Sequence, residues 1–318
     1  MTPTAAPQRV VETRQLTKRY GRFTALDQLD LQVEAGALFG FIGPNGAGKT
    51  TTLRMLAGLL EPSSGQISLN GQDISHDVSA ARWLVGYMPD FFGVYEDMKV
   101  WEYLDFFARC YRLDAKRRTR VVNELLELVD LASRRNAWVE SLSRGMRQRL
   151  CLAHALVHDP QILLLDEPAS GLDPRARIEM RELLKELSAL GKTIIISSHI
   201  LTELAEMCNQ VGIIEHGRLL YHGPPQQISQ EQHGHRRLCL RTLAAPEAVE
   251  AALKTYLGVT DYRLDENNGW QVNFSGDDTA LAGLLAHLVE RKLPVIHFSE
   301  EINDLEAVFM QITSGEVK

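Results

Sequence analysis

Residues 43–50 constrain this chain more than any other segment. They read Gly-Pro-Asn-Gly-Ala-Gly-Lys-Thr and fit the pattern G-x-x-x-x-G-K-[ST]. The run before them, 38–42, is short and apolar, as a buried strand requires, and the run after them, 49–60, forms helix readily. A glycine-rich loop between a strand and a helix is a phosphate cradle. Its glycines let successive backbone N–H groups curl around phosphate oxygens, and the helix N-terminus adds positive potential. Lys49 then reaches the β- and γ-phosphates and the Thr50 hydroxyl ligates Mg²⁺. Gly43, Pro44, Asn45, Gly46, Ala47, Gly48, Lys49, Thr50 and the next residue, Thr51, are the candidate nucleotide contacts.

Patterning on either side of the loop points to an α/β unit. Short strands are expected at 10–13 and 29–33, a hairpin at 66–73 turning on Asn70-Gly71, and mainly helix over 91–156. The apolar runs 162–165 and 193–197 read as buried parallel strands, with a helix over 175–190 between them. His222-Gly223-Pro224-Pro225 marks a boundary. Beyond it, 237–243, 260–264, 270–274 and 294–298 read as strands. Helices are expected at 246–257, 279–292 and 302–313. The first six of these seven elements follow a split βαβ, ferredoxin-like order.

A second chemical motif closes the strand at 162–165. Asp166 and Glu167 stand at its C-terminal edge, where open α/β sheets bind ligands. Asp166 is suited to hold Mg²⁺ through water. Glu167 is suited to orient an attacking water or accept its proton.

These residues carry a family resemblance. The chain resembles the nucleotide-binding subunit of an ABC transporter. Leu142-Ser143-Arg144-Gly145-Met146-Arg147-Gln148-Arg149 is similar to the LSGGQ signature and the R-Q-R that follows it. Ser170-Gly171-Leu172-Asp173 matches the D-loop, His199 the switch histidine, and Tyr20 the aromatic that stacks on adenine. The resemblance covers 10–225. It implies a P-loop NTPase fold of the ABC ATPase type, with an ATP-binding domain over 8–225 and a helical subdomain at about 91–156. A small ferredoxin-like α+β accessory domain would span 237–318, with a regulatory or dimer-stabilising role or as a plain structural appendage.

The resemblance further implies ATP and Mg²⁺ as cofactors and ATP hydrolysis as the activity. Two copies would pack head to tail in the ATP-bound state, with Ser143 and Gly145 of one facing the γ-phosphate on the other. Glu167 and His199 would be catalytic, and Asp173 would join the nucleotide contacts. A transmembrane permease on a separate chain would supply the pathway, with export implied by the resemblance of the tail. The ATPase would then lie in the cytoplasm, peripheral at the inner face of the cell membrane.

Three places depart from the family pattern. Asp90 occupies the position usually held by a glutamine that touches Mg²⁺. Either it keeps a metal-sensing role, or it faces solvent and its neighbours do the coupling. In the signature, Arg144 replaces a glycine and Met146 a glutamine, and a surface arginine is the simpler reading of the first. Eight of the chain's 22 aromatics fall in 91–111. Tyr103, Phe107 and Tyr111 share a helical face. Phe91, Phe92, Tyr95 and Trp101 either line a groove for a helix of the membrane partner or pack a helical core.

Composition narrows the functional classes. The 318 residues carry a net charge of −7, which argues against non-specific nucleic-acid binding, and no nucleic-acid partner is expected. The four cysteines lack metal-ligand spacing, and no apolar run reaches the length of a membrane span. The rival reading is a soluble ABC-type ATPase acting on ribosomes or DNA. It is weakened because the chain shows one module and has only 99 positions, with no heptad array, between Gly43 and Leu142.

Overall fold

The computed structural model describes residues 8–75, 77–91, 93–228, 236–265 and 269–300. It divides into two compact units, 1–225 and 226–318. The helix expected over 302–313 lies outside the described residues.

The first unit opens with two long strands, β1 (Arg9–Tyr20) and β2 (Phe23–Glu34), paired antiparallel. Both exceed the short runs expected from periodicity. Their ladder shifts register several times, and Gln15 and Gln28 take positive φ, so alternation breaks down where pairing does not. β3 (Leu38–Ile42) is buried along its whole length and leads through the phosphate loop into α1 (Lys49–Leu56). That helix stops one turn earlier than expected. The hairpin β4 (Ser64–Leu69) and β5 (Gln72–Asp73) turns on Asn70 and Gly71, both with positive φ, as a tight two-residue hairpin requires. α2 (Val78–Leu84) and β6 (Val85–Met88) follow. These two are too short for periodicity to announce.

The helical region holds α3 (Val100–Cys110), α4 (Ala115–Leu128) and α5 (Arg144–Leu156). β7 (Ile162–Asp166), α6 (Pro174–Ala189) and β8 (Thr193–Ser198) form the expected βαβ unit, and β7 and β8 pair in parallel. α7 (Leu201–Ala205), β9 (Gln210–Glu215) and β10 (Arg218–Gly223) complete the unit.

Two sheets result. One is β2-β1-β4-β5; the other is β10-β9-β3-β8-β7-β6, parallel except for the β9–β10 pair. The core lies between them, where Leu26, Leu29 and Leu31 meet Phe39, Phe41, Leu53 and Ile195. In the parallel sheet β8 alone separates β3 from β7. This brings the phosphate loop and the acidic pair to the same C-terminal edge.

The aromatic enrichment resolves mostly into packing. Tyr95 meets the rings of Tyr103, Phe106 and Phe107, and Phe107 stacks on His154 at 3.6 Å. Tyr111 stacks on His158 at 4.0 Å, and the Arg135 guanidinium lies over Trp101. Phe91 is 91% exposed, and Tyr95 keeps 54% of its surface in solvent despite its ring contacts. Phe92 lies outside the described residues.

The second unit runs β11 (Arg236–Thr242), α8 (Pro246–Lys254), β12 (Val259–Leu264), β13 (Gly269–Phe274), α9 (Asp278–Glu290) and β14 (Val295–Glu300). Its sheet order, β12-β13-β11-β14 with all pairs antiparallel, is the ferredoxin-like order. Leu238, Leu240, Val272 and Phe274 bury one sheet face against Val249, Leu253, Leu284 and Leu288 of the helices.

His154 makes the aromatic core sensitive to pH. Burial first, and then the nearby His158, pull its imidazole down to about 4. The unfolded chain takes up a proton near its ordinary value of about 6.5, so this contribution to stability is complete above that pH and is lost as pH falls towards 4. We expect a loss of roughly 3 kcal/mol across that window from this group. Urea titrations at pH 7 and pH 4.5 should show His154→Phe losing markedly less stability than wild type. Parallel losses would contradict the assignment.

Candidate functional site

The loop between β3 and α1 is shaped by close backbone approach. A Cβ on Gly43 would lie 2.3 Å from the Ile214 carbonyl oxygen, and Gly48 turns into the helix at φ 112°, which only glycine adopts without strain. The Lys49 side chain, 6% exposed, folds back along the loop and donates to the carbonyl oxygens of Gly43 at 2.6 Å and Pro44 at 3.2 Å. Burial lowers its pKa from the ordinary lysine value, opposed by the charges of Glu167 and then Asp166. The ammonium is thus desolvated, sits close to two acids and satisfies itself on its own loop, an arrangement that an incoming anion can replace.

Asp166 ends β7 and is 1% exposed. Its Oδ1 accepts from the Ser197 hydroxyl at 2.5 Å, while its Oδ2 is buried without a hydrogen-bond partner among the described residues. A buried carboxylate oxygen left open at the sheet edge fits a cation site. The Glu167 backbone adopts φ 50°, and its N–H lies 3.0 Å from the Ser197 hydroxyl oxygen and 3.2 Å from the Ser197 carbonyl oxygen. His199 Nδ1 stands 3.0 Å from both Glu167 carboxylate oxygens. A carboxylate only accepts, so Nδ1 carries the proton and Nε2 is the free ring nitrogen. Lys49, Asp166, Glu167 and His199 therefore share one edge.

Ser197 is the member that sequence reasoning missed. It is fully buried, and it ties Asp166 to the backbone of Glu167. Its only sequence signal is polarity at the end of an otherwise aliphatic strand. Its importance comes from the register that pairs it with Asp166.

The remaining expected contacts stand elsewhere. Ser143 caps α5, its Oγ accepting from the Met146 N–H at 3.3 Å, and Asp173 caps α6, accepting from the Ala176 N–H at 2.9 Å. Both caps, with Gly145, line one concavity. Tyr20 presents a half-exposed ring at the β1–β2 turn, with the Lys18 ammonium 5.3 Å from its centroid. Asp90 is exposed just past β6 and lines a shallow pocket with Phe91, Glu96, Arg144 and Arg147. Arg144 is exposed, as a surface arginine is expected to be, and it also donates to the Ser170 carbonyl oxygen at 3.0 Å.

The chain is similar to known proteins in sequence and fold. The ABC transporter family profile matches residues 26–170. A Nod factor export ATP-binding protein I from Cupriavidus pinatubonensis is 43% identical over 232 residues, covering 73% of this chain and 71% of its own. One of the same name from Ralstonia nicotianae is 35% identical over 320 residues, 97% of this chain and 95% of its own. The chain belongs to the ATP-binding subunits of ABC transporters. A solved ATP-binding subunit of an ABC transporter superposes with TM-score 0.63 at 31% identity, covering 70% of this chain and 92% of that one. Another, cbiO1 of Clostridium perfringens, gives 0.64 at 27% identity, covering 71% and 92%. The ABC ATPase is thus an enzyme that binds and hydrolyses ATP to drive transport with a membrane partner. Among the described residues no helix is long and apolar enough to cross a membrane.

Ser197→Ala removes a hydroxyl that serves both acids. It leaves Asp166 buried with neither oxygen paired, which costs about 1–3 kcal/mol. We expect a lower unfolding midpoint together with at least a tenfold fall in ATP turnover. Wild-type values for both, measured by denaturation and phosphate release, would remove Ser197 from the site.

Proposed function

We propose that this chain is the ATP-hydrolysing subunit of an exporter and works on the cytoplasmic side of the membrane. A transmembrane permease on a separate chain would provide the path, and two copies of this subunit would enclose ATP between them. The observation that carries the reading is the meeting of Lys49, Asp166, Glu167 and His199 at one sheet edge, while Ser143 and Gly145 stand on another helix. A half-site that holds the triphosphate and a separate, solvent-facing helix N-terminus suited to phosphate are what a composite site between two copies needs.

The division of labour follows from position. Backbone N–H groups of residues 43–48 and the helix start receive the phosphates, and Thr51 lies within the first turn of α1. The Lys49 ammonium leaves its carbonyl partners for phosphate oxygens. Tyr20 offers a flat, exposed ring for adenine. Thr50 and Asp166 would hold Mg²⁺, and Asp90, next to the strand that pairs with β7, would be a further ligand. When bound, Mg²⁺ supplies charge neutralisation at the phosphate oxygens. Glu167 orients the attacking water and receives its proton, and His199 fixes the Glu167 carboxylate through Nδ1–H and leaves Nε2 to accept from the attacking water. Asp173 contributes by holding the D-loop at the start of α6.

Export is the direction named for the relatives, and the Ralstonia relative is similar along nearly the whole chain, the ferredoxin-like unit included. That supports a role for residues 237–318 within the transporter, as a regulatory or dimer-stabilising domain. The cbiO1 relative is described as part of a transporter complex, which supports a partner on a separate chain. Phe91, strongly exposed beside the helical region, is the best-placed of the aromatics for that partner.

Glu167→Gln keeps the shape of the site and removes the base. ATP turnover should fall by 10²-fold or more, as expected for loss of a general base, while ATP binding by fluorescence titration stays within a few-fold of wild type. Undiminished turnover would refute the assigned role. For Asp90→Ala, the metal role predicts a rightward shift in the Mg²⁺ dependence of turnover. An unchanged curve would place Asp90 outside the metal shell. Affinity purification from membranes should recover a polytopic membrane protein, whereas recovery of ribosomes or DNA would favour the soluble alternative.

A further inference from the structure

Arg144 stands where the family signature has glycine, and its surroundings give it a task. The guanidinium donates to the Ser170 carbonyl oxygen at 3.0 Å. One turn along α5, on the same face, Gln148 is 2% exposed and its Nε2 donates to the same oxygen at 3.0 Å. Two donors from the signature helix therefore converge on one D-loop carbonyl.

The fit is close. Gly171 has φ 68°, and a Cβ there would lie 2.3 Å from Arg144 Cζ, so the guanidinium occupies the space that any other residue at 171 would fill. A Cβ on Gly145 would lie 3.4 Å from Leu172 and 3.5 Å from Ala176, so the start of α5 rests against the D-loop and the start of α6. From Ser170 a short path leads to the reacting edge. Its N–H donates to the Glu167 carbonyl oxygen at 3.0 Å, and the Glu167 carboxylate is held by His199. The segment 167–170 is thus a turn with Arg144 and Gln148 on its exit and Ser197 and His199 on its entry.

We propose that Arg144 is a positioning residue that latches the signature helix to the D-loop of its own subunit and so sets the Glu167 turn. The charged donor at 144 adds a second tether to the one that Gln148 makes between these two segments. Displacement of the signature helix, as when it meets a second copy, then pulls on the Ser170 carbonyl and through it on Glu167 of the same chain. This deepens the proposed composite site and rests on it.

The test compares Arg144→Met, which keeps the aliphatic stem and removes the donor, with Arg144→Lys, which restores a charged donor. Hydrogen exchange of the full-length, nucleotide-free protein reads the latch without any turnover. Arg144→Met should raise exchange of the amides at 169–172 at least fivefold while the strand amides of β3, β7 and β8 keep wild-type protection. Arg144→Lys should restore at least half of that protection. With ATP, Arg144→Met should lower kcat several-fold with KM within twofold of wild type, again recovered in part by lysine. Unchanged exchange at 169–172 in Arg144→Met overturns the latch. Equal effects of methionine and lysine on exchange or on kcat overturn it as well, since a purely packing role would not separate them. A wild-type protein that fails to hydrolyse ATP would sink the functional reading instead, and the exchange comparison would still decide the latch.

Discussion

The ammonium of Lys49 is the charge around which the rest of the nucleotide edge is arranged. It is nearly inaccessible to water and has only two carbonyl oxygens of its own loop as direct partners among the described residues. Those bonds are neutral acceptors for a full positive charge, weaker than bonds to an anion. Burial lowers its pKa, and the two acids across β8 hold it up. The loop is therefore built around a cation that a phosphate satisfies better than the protein does. Removing the glycines that permit this closure would destroy the cradle before any contact with ligand, because Gly43 has a carbonyl oxygen where a side chain would begin.

What lies local in sequence was legible. The phosphate loop, the acidic pair, the βαβ unit and the ferredoxin-like order each occupy a short contiguous stretch, and periodicity with glycine and proline punctuation is enough to place them. Relations set by strand register were not legible. Ser197 is 31 residues from Asp166, and only the pairing of β7 with β8 puts its hydroxyl on the carboxylate. Arg144 and Ser170 are 26 residues apart, and the contact depends on how α5 meets the D-loop. Arg144 is at the surface, as its own neighbours suggested, but its partner is a backbone carbonyl with no identity in the sequence.

The helical region shows the same division. Aromatic enrichment over 91–111 is visible from composition, yet composition cannot separate a core from a docking face. The structure packs buried Tyr103 and half-buried Phe107 against His154, and leaves Phe91 in solvent. The two stacked histidines, 154 and 158, lie one turn apart on the segment that begins with the signature. The helix that presents Ser143 and Gly145 is thus anchored at its far end in aromatic packing and at its near end on the D-loop. Its N-terminal groups are held in place before any partner arrives.

This double anchoring explains how an altered signature remains compatible with catalysis. The groups suited to phosphate are the Ser143 hydroxyl and the Gly145 N–H, and both survive the changes at 144 and 146. A glycine at 144, the first residue of α5, would give a more flexible helix start with no side chain to reach the D-loop. Arginine gives a stiffer start and adds a bond to the Ser170 carbonyl. The departure from the family pattern is therefore not a loss of the site's chemistry. It adds a side-chain contact that ends three residues from Glu167.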